Sequence, residues 1–192
     1  MKNRAEFFAN ELKKRLQFKT LSEIPVIDFC NELNTSRQNF YYYFKSMEEC
    51  LIYLLLSENP MNTNIDRPQD SVKQCVKFLS ENTGLVKNIC KQGSTRELFI
   101  NFYYEYFKNA VKKYVNYCIK IDFKLTETEK DILVKSITYQ YLLFIFEFIR
   151  NPEETKLLKT AKILEFLTRG NIEELAKRLH QYSSIASLED DE

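Results

Sequence analysis

Apolar residues recur along this chain at helical spacing, three and four positions apart, and no stretch alternates as repeated strands and turns would. Ala5, Phe8, Leu12 and Leu16 put one apolar face on a first helix, about Ala5 to Phe18, with Lys13, Lys14 and Arg15 opposite as a solvated face. Thr20 to Ile24 connects it to a second stripe, Val26, Phe29, Cys30 and Leu33, at i, i+3, i+4 and i+7. Pro25 suits the first position of that helix, where its missing N–H is not needed. Asn34 stands where a left-handed residue would end it, and Thr35 or Ser36 can cap the next. Two short helical pieces joined by about three residues, spanning Pro25 to Phe44, make the helix-turn-helix pattern.

The second piece carries chemistry suited to DNA. Ser36, Arg37, Gln38 and Asn39 open it, and all are polar hydrogen-bonders. Arg can grip guanine bidentately, Gln or Asn adenine, and in such motifs the start of the second helix meets base edges. Phe40 and Phe44 repeat at i, i+4 behind them and can anchor the helix. Between Leu33 and Met47 the charged residues are Arg37 and Lys45, a mild positive face for phosphates. The residues assigned to DNA are Thr35 and Ser36 at the helix entrance, Arg37, Gln38 and Asn39 at base edges, and Tyr41, Tyr43 and Lys45 nearer phosphates. Tyr42 can face DNA or pack inward.

The run TSRQNFYYYFKSMEECL resembles the recognition helix and fourth helix of TetR-type (tetracycline-repressor-like) regulators. That family carries Val-Ser-x-x-x-Phe-Tyr-x-x-Phe followed by Lys-x-Lys-x-x-Leu. Ser36, Phe40, Tyr41, Phe44, Lys45 and Leu51 match, and Asp28 and Glu32 also fall at commonly matched positions. Pro25 replaces the usual Thr and Asn34 the usual Gly, while Met47 stands where a second Lys often contacts phosphate, so that contact is not carried over. The resemblance covers residues 5 to 56; beyond them only the helical layout is similar. It implies an all-α protein in two parts: a three-helix DNA-binding domain over 1–60 and a helical ligand-binding and dimerisation domain over 61–192. It also implies that the fourth helix joins reading head to body, and that repression is the commoner mode.

The fourth helix follows from the residues as well. Ser46 with Glu49 is a capping box for Met47 to Glu58, whose buried face is Leu51, Leu54 and Leu55. Asn59 to Gln69, with Pro60 and Pro68, marks the boundary. From Pro68, Val72, Cys75, Val76 and Leu79 form the next stripe, and Gly84 and Gly93 punctuate a shorter helix. Ser94 with Glu97 opens a long aromatic helix to about Ile121, with Phe99, Tyr103, Tyr106, Ala110, Tyr114 and Tyr117 on one face. That face is either packed core or the wall of a ligand pocket, since pockets are mostly apolar with a few placed hydroxyls. Phe102, Tyr103, Tyr106 and Phe107 are the ligand-binding candidates, for a small apolar or aromatic effector. Thr126 with Glu129 caps a helix to Arg150 that ends in YQYLLFIFEFI, apolar nearly all round and so buried on several sides.

One recognition helix makes too few contacts for tight specific binding. A two-fold homodimer on an inverted-repeat operator of double-stranded DNA is therefore expected. Tyr139, Leu142, Leu143, Phe146 and Ile149 are its expected interface, packed with one of two further helices near 153–168 and 171–182. The tail from Ser183 ends in four acids and is expected to be disordered.

Composition narrows the alternatives. With 192 residues, 44% hydrophobic, and only three Gly and four Pro, a packed protein of long helices is expected. A net charge of +1 leaves DNA affinity to a local face. The five cysteines form no CxxC pair and fall mostly on apolar faces, which fits structural thiols in a reducing cytoplasm. One histidine, His180, without ligand spacing around it, makes a metal site unexpected, and no cofactor is expected. The start has no apolar segment of a signal peptide, and the most apolar window, Tyr139 to Ile149, is too short to span a bilayer, so no membrane partner is expected. There is no Ser-His-Asp order, no HExxH and no phosphate-cradling glycine loop, so no catalytic residue is assigned. A helical adaptor that binds only proteins is the other alternative, and the polar Arg37-Gln38-Asn39 tip argues against it.

Overall fold

A computed structural model describes residues 2–59, 68–122, 125–151, 163 and 174–182. Every regular element among them is helical: α1 (Lys2–Leu16), a 3-10 turn (Leu21–Glu23), α2 (Val26–Glu32), α3 (Arg37–Tyr41), α4 (Met47–Glu58), α5 (Pro68–Glu81), α6 (Thr83–Cys90), α7 (Gly93–Asp122) and α8 (Glu127–Arg150). Residues 174–182 are helical as well. The expected helix near 153–168 and the tail from 183 lie outside the described residues, apart from residue 163.

The stripes seen in the sequence meet in one continuous core. Phe8, Leu12 and Leu16 of α1 pack with Phe29 and Cys30 of α2, Phe40 of α3 and Leu51 and Leu54 of α4. In the body, α5 and α6 cover one side of α7, and α8 packs along it. Burying a large apolar side chain contributes about 1.5–3 kcal/mol, so this continuity is what holds short helices such as α3 in place.

Head and body touch through more than α4. Asn88 of α6 donates its side-chain N–H to the Leu16 carbonyl at 2.9 Å. Gln92 bonds the Ser22 hydroxyl. A Cβ at Gly84 would come within 3.2 Å of Gln17 Oε1 and 3.3 Å of the Gln17 carbonyl, so glycine is what lets α6 lie this close to the end of α1.

Several local expectations change. Pro25 is the N-cap of α2, not its first helical residue. The regular part of α3 ends at Tyr41, and Tyr43 and Phe44 then close a turn onto the Phe40 carbonyl. Ser46 accepts the Glu49 N–H, but the Glu49 carboxylate bonds the Lys45 N–H, so the box is half made. α7 already begins at Gly93 with an N–H bond from Arg96 to the Gln92 carbonyl, so Ser94 is in the first turn and caps nothing. Thr126 and Glu129 do form both halves of their box. The buried face of α7 is Phe99, Tyr103, Tyr106, Phe107, Val111 and Val115, while Tyr117 is exposed. As a whole, α8 is long and apolar enough to cross a membrane by length and composition, and half of its most apolar window is buried inside the protein.

Candidate nucleic-acid interface

The turn between α2 and α3 sets the direction of α3. Asn34 takes φ 49°, the left-handed conformation that Asn tolerates better than most residues. Ser36 then caps α3, its hydroxyl accepting the Asn39 N–H at 3.1 Å. The inner side of α3 is aromatic. Phe40 packs edge-on against Phe8 at 5.4 Å between centroids and against Phe29 at 6.0 Å. Phe44 continues the contact to Tyr53 of α4 at 5.5 Å.

With its inner side clamped, α3 turns Arg37 and Gln38 to solvent. Tyr41, Tyr42 and Lys45 are exposed too. Tyr42 does not pack inward; it is 65% exposed and meets Tyr43 edge-on. Tyr43 is half-buried beside Phe8. Thr35 and Asn39 are half-buried and bonded together, the Asn39 amide donating to the Thr35 hydroxyl at 2.9 Å. One amide hydrogen of Asn39 is thus used inside the protein, and its oxygen and second hydrogen are not engaged by that bond.

Arg4, which with Lys2 precedes the first apolar stripe as a cation able to reach a phosphate, joins this site. Its guanidinium donates to the same Thr35 hydroxyl at 3.3 Å and lies over Phe7 at 5.0 Å. A cation from the start of the chain therefore stands at the entrance of α3. The sequence signal was only a basic residue near the N-terminus, which says nothing about where α1 places it.

Lys13, Lys14 and Arg15 of α1 are paired with acids; Lys14 stays on a solvated face, while Lys13 and Arg15 are half-buried. Lys13 pairs with Glu58 of α4 at 2.7 Å. Arg15 pairs with Glu32 of α2 at 2.9 Å and lies over the Phe29 ring at 4.9 Å. Lys14 pairs with Glu11 at 2.6 Å. The Glu11 carboxyl is held below its ordinary value chiefly by Lys14, with Arg15 adding to it. Arg4, Arg37 and Lys45 thus stand around α3 while the trio of α1 is matched by acids.

The body places the other candidates as follows. Tyr103 and Phe107 are fully buried and Tyr106 nearly so. The Tyr103 hydroxyl donates to Asn59 Oδ1 at the end of α4, 3.3 Å away, and the Tyr106 hydroxyl to Gln74 Oε1 of α5 at 2.7 Å. Burial pushes the Tyr106 hydroxyl up to about 12. Phe102 is half-buried and lines an open hollow of about 420 Å³ with Ile52 of α4 and Leu98 and Asn101 of α7. On α8, Tyr139, Leu143 and Phe146 are exposed, as is Ile132 one turn and more before them. Leu142 faces its own core, which removes it from an exposed seam, and Ile149 is half-buried. Cys30, Cys50 and Cys75 are buried and Cys90 is half-buried, and burial pushes the Cys50 and Cys90 thiols up to about 12.

No family model and no curated protein matches the chain. A solved structure, "Dihydroxyacetone kinase operon activator DhaS", matches with a TM-score of 0.67 at 21% identity, over 88% of this chain and 95% of that chain. The fold is thus shared, over most of both chains, with a protein described as an operon activator.

Proposed function

We propose that this chain is a sequence-specific DNA-binding regulator of transcription that acts as a homodimer on an inverted-repeat operator. The observation that carries this reading is α3 itself: Phe40 and Phe44 are locked into the head while Arg37 and Gln38 project from its opposite side. Arg37, Gln38 and Asn39 would read base edges in the major groove. Arg4, Tyr41, Tyr43 and Lys45 would position the head on phosphates, with Thr35 and Ser36 fixing the entrance of the helix. The exposed stripe Tyr139, Leu143 and Phe146 supports the seam, where like residues would meet across a two-fold axis.

A small apolar or aromatic effector would act on the body. Phe102 stands at the mouth of the hollow that also touches α4, and Tyr103, Tyr106 and Phe107 lie behind it. An effector that reached those three would have to part α7 from α5, so it must favour the opened state by a few kcal/mol to regulate. In the competing view the aromatic cluster is filled core and the body serves to dimerise. Repression is what the family resemblance implies. Activation is the second reading, favoured by the fold shared with an operon activator.

A mobility-shift assay with genomic fragments tests the DNA reading, followed by a reporter for the sign of regulation. A shifted fragment with an inverted repeat supports the proposal. A dimer that retards no fragment at low salt would instead support a protein-binding adaptor.

A further inference from the structure

Asn39 is held at two points within the head. Its backbone N–H goes to the Ser36 hydroxyl at 3.1 Å and its side-chain amide to the Thr35 hydroxyl at 2.9 Å. Thr35 is itself tied down, its backbone N–H donating to the Cys30 carbonyl of α2 at 3.0 Å. The Thr35 hydroxyl oxygen also accepts from the Arg4 guanidinium of α1 at 3.3 Å. A hydroxyl oxygen has two lone pairs, and these two bonds occupy both. Arg4 is steadied in turn by the Phe7 and Phe8 rings, 5.0 and 5.7 Å from its guanidinium carbon. Elements α1, α2 and α3 therefore converge on one threonine.

That convergence bears on what the amide can read. A bidentate grip on adenine takes the amide oxygen and one N–H. The other N–H is spare, and Thr35 takes one N–H while leaving the oxygen and its neighbour. An untethered Asn side chain gives up rotamer freedom when it meets a base; one already pinned gives up less. Asn39 is half-buried and pinned, whereas Arg37 and Gln38 beside it are exposed.

We infer that Thr35 is a positioning residue that sets the Asn39 amide to read adenine, with Arg4 bracing the Thr35 hydroxyl from α1. This rests on the DNA-binding reading. Arg4 keeps further N–H groups of its planar fork for a phosphate, so the brace joins a phosphate contact to a base contact.

The full chain is first used to select binding sequences from a random duplex pool. Affinities are then measured for the selected site and for sites changed at single base pairs. Asn39→Ala should relax one pair of each half-site, and that pair should be A·T. Thr35→Val keeps the shape and removes the hydroxyl. It should cut the preference at that same pair about two- to tenfold, the size of one hydrogen bond, and leave the other pairs and the salt slope alone. Thr35→Ala should do the same, in case the methyl that replaces the hydroxyl disturbs the turn. Thr35→Ser should restore the preference. Arg4→Gln should weaken it in part and lower the salt slope by about 1. The inference is overturned if the hydroxyl-free variants keep the parental preference, or if Thr35→Ser fails to restore it. It is equally overturned if their loss is uniform over all sequences, which would make Thr35 a phosphate contact, or if Asn39→Ala relaxes a G·C pair or none. Parental preference in Arg4→Gln overturns the brace. A parent that selects no sequence at all refutes the DNA-binding reading itself, and this inference falls with it.

Discussion

Replacing Leu143 and Phe146 of α8 together by Asp probes the proposed subunit seam. Ile132, Tyr139, Leu143 and Phe146 leave 54%, 57%, 57% and 43% of their surface exposed in one protomer. Fully burying such a side chain contributes about 1.5–3 kcal/mol, so covering about half of one contributes about 1 kcal/mol. A two-fold axis uses each position twice, so the double substitution removes four covered side chains, about 4 kcal/mol. At about 1.4 kcal/mol per decade, the dimer should dissociate roughly a thousandfold more readily. Desolvating the new carboxylates would weaken it further. Sedimentation velocity over a concentration series reads this directly. The parent should be dimeric at micromolar concentration, and the variant monomeric with its helical signal intact and little DNA affinity. Leu142→Ala is the contrasting change, one residue away but inward; it should cost about 2–5 kcal/mol of stability. A parent that sediments as a monomer, or a double Asp variant that dimerises as tightly as the parent, refutes the seam.

Arg37→Ala should lose about 1–3 kcal/mol on a cognate site and relax specificity, whereas Lys45→Ala should weaken all sequences alike and lower the salt slope by about 1. Equal affinities of Arg37→Ala and parent for cognate and for scrambled DNA would remove Arg37 from base reading. Asn34→Ala should destabilise by about 1 kcal/mol, because alanine pays more to hold φ 49°, and Asn34→Gly should be near neutral in urea unfolding. If the alanine variant unfolds at the parental midpoint, the left-handed turn is not what sets the angle of α3. Tyr103→Ala separates core from pocket. A truncated core aromatic costs about 3–5 kcal/mol, and melting temperature and DNA binding should then fall together. Under the pocket view DNA binding survives and only the effector response is lost.

Much of the head could be read from the chain because its signals are short-range. A cap needs only the residue and the N–H three positions on, as at Ser36, and a left-handed stop needs only one tolerant residue, Asn34. The stripes of α1 and α2 survive, with Phe8, Leu12, Leu16, Phe29 and Cys30 buried and Ala5, Val26 and Leu33 half-buried. The same logic fails on α8. Its end is apolar nearly all round, so periodicity has no polar face to orient it, and packing against α7 alone decides that Leu142 turns in while Leu143 turns out. On α7 the aromatic residues mark both faces, and the inward set passes through Val111 and Val115 where Ala110 and Tyr117 had seemed as good. Arg4 meeting Thr35, and the end of α8 closing a hollow against Lys91 and Arg96, join residues far apart in the chain. No local pattern encodes such meetings; they follow from which helical faces bury against each other, and that is settled only when the whole core closes.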